Sequence, residues 1–293
     1  MAPPGALLII GAGYLGLTIA RLAQNSGQRV IAARRGQPNL ESDNLIQWLQ
    51  MDVSDPKSVQ VNIEKLSKEN KISGVIYCVS AGTPSQDAYR NAYYLGLKNI
   101  LESIDPQIRF LFVSSTGVFP QDQGEWVDES SSTSGDGHSS LQKQLVLGEG
   151  LVQARPNSVI ARFSGIYGPG RTRLITMAQS LPDLMIISQM SYTNRIHVED
   201  GARAILHILQ MNAPASLYCI TDNDPAPQHE ILLWLRQQIG LEAPQVSFRS
   251  ETGTETNPAD LPVGNKRIRN NRLVATGFDF IFPTFREGYK ALC

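Results

Sequence analysis

Along the first half of the chain, short apolar runs rich in β-branched residues alternate with stretches in which apolar positions recur every three or four residues. The runs at 7–10, 29–33, 74–79, 109–114 and 158–163 are apolar almost without interruption, as strands covered on both faces must be. Between them, 15–24, 59–68, 88–104 and 141–153 carry helical spacing. That alternation predicts βαβ units and a parallel sheet.

After Phe163 the alternation weakens. Residues 165–171 read as a turn, 217–221 as a last strand, 201–210 as a helix beginning near Asp200, and 228–239 as another helix. Residues 121–140 combine Glu125, Asp128 and Glu129 with a serine-rich run at 130–134, and read as a mobile surface loop. The expected architecture is α/β: a doubly wound parallel sheet over 1–164, to which 195–221 returns, and a smaller substrate-side lobe over 165–293.

Composition adds boundaries. With 293 residues, 42% hydrophobic and 18% charged, the chain can bury a large core. Twenty-six basic against 27 acidic residues leave no excess charge to favour nucleic acid or an anionic membrane over a small molecule. No stretch approaches the roughly 20 apolar residues of a membrane span, and residues 1–10 lack the pattern of a secretory leader. Cys78, Cys219 and Cys293 are far apart, without metal-ligand or redox spacing, and read as buried thiols in a reducing compartment. A cytoplasmic protein without a metal is the expectation.

The first chemistry lies at Gly11-Ala12-Gly13-Tyr14-Leu15-Gly16, which follows a predicted strand and opens a predicted helix. In that context Gly11 permits the tight turn, Gly13 clears space for a pyrophosphate, and Gly16 lets the helix approach the strand. The N–H groups of Tyr14, Leu15 and the rest of the first turn then face the phosphates. This is a Rossmann dinucleotide turn. About 20 residues on, where an NAD site carries an acid, stand Arg34 and Arg35. Two guanidiniums there suit a 2′-phosphate, favouring NADP(H) with NAD(H) as the alternative, unless both are solvated loop arginines. Asp52 and Val53 are placed to meet the adenine, Asp55 before Pro56 reads as a helix cap, and Val79, Ser80 and Ala81 are small enough for the cofactor to pass above the sheet.

These residues, together with 113–119 (VSSTGVF), 162–171 (RFSGIYGPGR), 194–200 (NRIHVED) and 277–289, resemble the extended short-chain dehydrogenase/reductase superfamily, and within it an atypical branch of epimerase/dehydratase-like proteins. The resemblance implies a Ser or Thr at Ser115, with Thr116 beside it, orienting a reacting oxygen. It also implies a Tyr-x-x-x-Lys pair on the next helix, with the Tyr exchanging a proton and the Lys steadying the nicotinamide ribose. By register that pair falls on Leu141 and Leu145, and no Tyr occurs between Tyr94 and Tyr167. Lys143, His138 and Tyr167 are the candidate substitutes, each with a plain reading as a surface or packing residue.

Arg195 and His197 share a face if extended, and the resemblance turns that region toward substrate; Asp200 would cap the helix after it. Arg171 and Arg173 either add charge over a substrate phosphate or are solvated. Phe278, Phe280, Phe282 and Phe285 read as one packed face. The expectation is an NADP(H)-dependent oxidoreductase or epimerase-like enzyme on a small hydroxylated substrate, free or nucleotide-linked. A redox-inactive NADP(H)-binding sensor and a lyase or dehydratase are the alternatives. The resemblance also implies a homodimer through 88–104 and 141–153.

Overall fold

The computed structural model describes residues 5–36, 46–69, 72–134, 139–187, 190–248 and 264–293; His138 lies outside them. The chain forms two compact units, one of Met1–Val118, Gly135–Arg162 and Gly201–Tyr218, the other of Phe119–Ser134, Phe163–Asp200 and Cys219–Cys293.

In chain order the elements up to residue 163 are β1 (Ala6–Ile10), α1 (Tyr14–Asn25), β2 (Val30–Arg34), β3 (Gln47–Gln50), α2 (Pro56–Glu69), β4 (Ile72–Tyr77), α3 (Gln86–Tyr89), a π-helical turn (Arg90–Leu95), α4 (Gly96–Ser103), β5 (Arg109–Ser115), β6 (Glu125–Val127), α5 (Ser140–Gln153) and β7 (Ser158–Phe163). Then follow β8 (Gly165–Tyr167), α6 (Arg173–Gln179), β9 (Leu184–Ile187), β10 (Tyr192–Thr193), β11 (Arg195–His197), α7 (Val198–Gln210), β12 (Leu217–Ile220), β13 (Ala226–Pro227), α8 (Gln228–Gln238), β14 (Gln245–Phe248), β15 (Lys266–Ile268), α9 (Asn271–Val274) and α10 (Phe285–Lys290).

A seven-stranded parallel sheet runs β12-β7-β5-β4-β1-β2-β3. Every residue of β1 is buried, because a strand flanked by β2 and β4 has helices over both faces. One face packs Leu8, Ile10, Val75 and Tyr77 against Val59 and Ile63 of α2 and Leu97 of α4. The order reverses between β1 and β4, so the crevice for a ligand opens at their carboxyl ends. Asp55 caps α2 as expected, accepting from the Lys57 N–H at 3.0 Å with Pro56 in the first helical position.

Cys293, expected to be a buried thiol, is exposed. Four further expectations need correction. The helix expected over 88–104 is split by the π-turn. Residues 121–140 are not loop alone, since β6 pairs in parallel with β15, placing Trp126 beside Arg267. The helix expected from Gly201 starts at Val198, so Asp200 sits inside its first turn rather than before it; its carboxylate accepts from the Ile281 and Phe282 N–H groups at 3.0 and 2.7 Å. Phe278, Phe280 and Phe282 lie in irregular chain and Phe285 opens α10, so the four do not form one alternating face: Phe278 meets Phe280, while Phe282 meets His197. In each case a partner distant in sequence decides the outcome.

The second unit is built from two-stranded pairs, β8 with β11, β9 with β14, β10 with β13 and β6 with β15. Its core gathers Tyr167, Ile175, Ile231, Leu235, Phe285 and Tyr289.

Candidate cofactor site

Gly11 has φ +95°, and a Cβ on it would lie 2.5 Å from Val79 N, so only glycine fits. At Gly16 a Cβ would run into the Gly11 carbonyl and would lie 2.8 Å from Cys78 Sγ, which allows α1 to close on the strand ends. Gly13 differs: the nearest atom to its Cβ would be 4.0 Å away, so the residue faces open space. Gly13 is also the N-cap of α1, with no side-chain cap and no acid in the first turn. Uncapped N–H groups beside a cleared surface form an anion cradle. Tyr14 is half-buried and Leu15 buried, so the first turn presents backbone rather than charge. The Cys78 thiol beneath donates to the Gly11 carbonyl at 3.2 Å, and burial pushes its pKa up to about 12, which makes it a packing group and not a nucleophile.

On the adenine side Arg34 and Arg35 are exposed at the end of β2, and neither forms an ion pair among the described residues. Asp52 is half-buried, and its Oδ1 accepts from the Ser54 N–H and Oγ–H at 2.9 and 2.7 Å, holding the turn after β3. Val53 is buried, and its carbonyl accepts from Asn99 Nδ2. Across the glycine turn, beyond β4, Val79 and Ala81 are half-buried and Ser80 is exposed.

β5 delivers Ser114 and Ser115 to its carboxyl end. Ser115 is half-buried, and its Oγ accepts from the Gly117 N–H at 3.0 Å. Thr116 is half-buried at the start of the short 3-10 turn 116–118, and Gln142 Nε2 donates to the Gly117 carbonyl at 2.7 Å, tying that turn to α5. One residue earlier, Ser114 Oγ donates to Glu149 Oε1 at 2.7 Å, while Glu149 Oε2 takes Arg162 Nη2 at 2.7 Å. This buried pair joins β5, α5 and β7. The sequence offered a signal for it, two charges within otherwise apolar elements, which the resemblance alone did not interpret.

On α5, Leu141, Leu145 and Glu149 follow at intervals of one turn, with Leu141 half-buried and Leu145 and Glu149 buried. Lys143 is exposed on the other side of the helix, so the geometry does not bring its ammonium to the face of Leu145.

Tyr167, Arg195 and His197 belong to the second unit, where β8 and β11 pair His197 with Tyr167. All three are buried. Tyr167 stacks on Tyr289 of α10 with ring centroids 4.3 Å apart and meets His197 edge-on at 5.4 Å. Gly288 is required there, because a Cβ would overlap the Tyr167 hydroxyl. Burial, then Asp222 and Tyr289, push the Tyr167 pKa far up; burial pulls the His197 pKa down against the opposing pull of Asp200. Arg195 Nη2 donates to Thr193 Oγ1 at 2.7 Å, and burial pulls its pKa down against Tyr289 and Asp222, which pull it up. Arg171 and Arg173 are exposed. Among the described residues no group of three or more His, Cys, Asp or Glu is placed to hold a metal, and no helix is long and apolar enough to cross a membrane.

A parallel sheet with a reversed order at β1/β4, an uncapped helix and a cleared glycine turn define a Rossmann-type dinucleotide-binding protein. Residues 7–220 match the NAD-dependent epimerase/dehydratase family, and the chain belongs to it. A solved structure of a proposed NAD-dependent epimerase/dehydratase from Methylobacillus flagellatus is 35% identical, with 98% of this chain and 97% of that one covered and a TM-score of 0.76. The dTDP-glucose 4,6-dehydratase of Bacillus anthracis, solved with NAD, shares the fold at 14% identity, 98% and 94% coverage and TM-score 0.76. So does a short-chain dehydrogenase/reductase superfamily protein of Agrobacterium tumefaciens with bound NAD, at 18% identity, 98% and 95% coverage and TM-score 0.75. No curated protein matches the chain.

Proposed function

We infer that this protein is an NADP(H)-dependent oxidoreductase or epimerase/dehydratase-like enzyme acting on a small hydroxylated substrate, free or nucleotide-linked. The observation that carries the reading is the open, uncapped N-terminus of α1 flanked by two exposed arginines at the end of β2. The N–H groups of the first turn hold the pyrophosphate, while Arg34 and Arg35 hold the 2′-phosphate by charge-assisted hydrogen bonds. The nicotinamide, when bound, supplies or accepts the hydride. Ser115, fixed by its bond from Gly117, and Thr116 orient the reacting oxygen. Tyr167 is not given the proton-donor role, since its hydroxyl is buried and stacked in the interior of the second unit.

A second reading, a dinucleotide sensor without redox turnover, is favoured by one observation: the helix face expected to carry the Tyr-Lys pair presents Leu141 and the buried Leu145. Titration with NADPH and NADH, followed by addition of sugar nucleotides and small carbonyl compounds, separates the two. Tight NADPH binding with consumption supports the enzyme; tight binding without consumption across the panel supports the sensor. Replacing both arginines, Arg34→Ala with Arg35→Ala, should weaken NADPH by about 100-fold and NADH little, given about 1.5–3 kcal/mol per charged hydrogen bond. Equal loss for the two cofactors would refute the NADP(H) preference.

A further inference from the structure

The π-helical turn Arg90–Leu95 interrupts what would otherwise be one helix. A widened turn leaves a carbonyl without its usual partner, and such turns persist only where the surroundings compensate. Here the buried hydroxyl of Tyr77 on β4 donates to the Ala92 carbonyl at 2.5 Å. A Cβ at Gly96 would lie 2.6 Å from both the Asn91 carbonyl oxygen and Val53 Cγ2. On α5 a Cβ at Gly148 would overlap the Tyr93 carbonyl. Three elements therefore hold the turn in this shape, and its outcome is the direction of Tyr93.

Side chains on a helix lean toward its N-terminus, and α3 follows the carboxyl end of β4, so Tyr93 leans toward the carboxyl edge of the sheet. Its ring is half-buried and lies 5.1 Å from that of Tyr89. Burial, then Tyr89, push the pKa of its hydroxyl up, and the nearby backbone N–H of Ala81, in the segment beyond β4, pulls the other way. A phenol brings its own proton to donate. The sheet order puts β4 and β5 on one side of β1, with β2 and the two arginines on the other. The Tyr93 hydroxyl therefore stands on the side of the glycine turn away from the adenine half.

Resting on the dinucleotide reading above, we propose that Tyr93 is a cofactor-positioning residue whose hydroxyl donates to the ribose carrying the nicotinamide, a task the superfamily pattern gives to a lysine at the position of Leu145. The π-turn carries this side chain, which gives the irregularity a use.

The test compares ADP-ribose, which contains the second ribose, with ADP, which lacks it, by calorimetric titration of the wild type and of Tyr93→Phe. The phenylalanine keeps the ring and its contact with Tyr89, and an unchanged thermal midpoint verifies the fold. ADP-ribose should bind about three- to tenfold more weakly to Tyr93→Phe, with ADP unaffected, in line with the loss of one hydrogen bond. Tyr89→Phe should leave both ligands unchanged. Equal weakening of ADP and ADP-ribose, or no weakening at all in a wild type that binds both, overturns the assignment while leaving the dinucleotide reading intact. A wild type that binds neither overturns both.

Discussion

Tyr167 Oη, Arg195 Nη1 and Asp222 Oδ2 are buried in the second unit without a hydrogen-bond partner among the described residues. A buried polar atom left unpaired costs about 1–3 kcal/mol. Burial pushes the Asp222 carboxyl well above its usual range, with the nearby Arg195 pulling the other way. Removing one of these atoms while keeping its packing should therefore help the fold. Tyr167→Phe is expected to raise stability by about 1 kcal/mol in urea unfolding, because the stack on Tyr289 needs only the ring. A loss of stability would mean that the hydroxyl has a partner, such as an internal water. If turnover is found, it should survive this change; its collapse would return Tyr167 to the list of proton donors.

At the scale of elements, β11 and α7 share a pH-sensitive joint. His197 ends β11, accepts the Glu199 N–H at Nδ1 (3.3 Å) and packs 4.0 Å from the Phe282 ring. Its pKa lies below the ordinary 6.5 because burial disfavours the imidazolium, despite the pull of Asp200. The unfolded chain then binds the proton more readily than the native one. Stability is full above pH 6.5 and falls as the pH drops below it, by no more than about 1.4 kcal/mol per pH unit. Urea unfolding between pH 7.5 and 5 should show this acid-side loss, and His197→Gln should flatten it; an unchanged slope in the variant would assign the loss to other groups. Glu149 and Arg162 act at the same scale, since their bidentate bond fixes α5 against β5 and β7 and so carries Gln142 to the turn after Ser115.

For the whole molecule the open question is assembly. α5 leaves Leu147 half-exposed at 50%, and a groove of about 390 Å³ lined by Lys98, Leu101, Glu102, Leu151 and Arg155 runs between its end and α4. A dimer through these helices would cover such surface. Sedimentation is expected to give twice the 32.2 kDa of the chain, and Leu147→Glu to give the monomer; a wild-type monomer at micromolar concentration would remove this expectation.

What the sequence determined by itself is the part governed by local periodicity and backbone sterics. Continuous apolar runs can only be strands covered on both faces, which is why β7 matches its expected bounds and β1, β2, β4 and β5 fall within two or so residues of theirs. Gly11 and Gly16 announce a turn that admits no side chain. Tertiary structure alone decided the rest, because burial and pairing depend on residues far apart in the chain. Tyr167 reads equally well as a proton donor or a packing residue until Gly288 and Tyr289 of α10 cover it, and His197 as a substrate contact or a packing residue until Phe282 does. Residues 88–104 read as one helix until Tyr77, Gly96 and Gly148 hold its first part as a π-turn that carries Tyr93. No period within the helix encodes that turn, since the groups that stabilise it belong to β4 and α5.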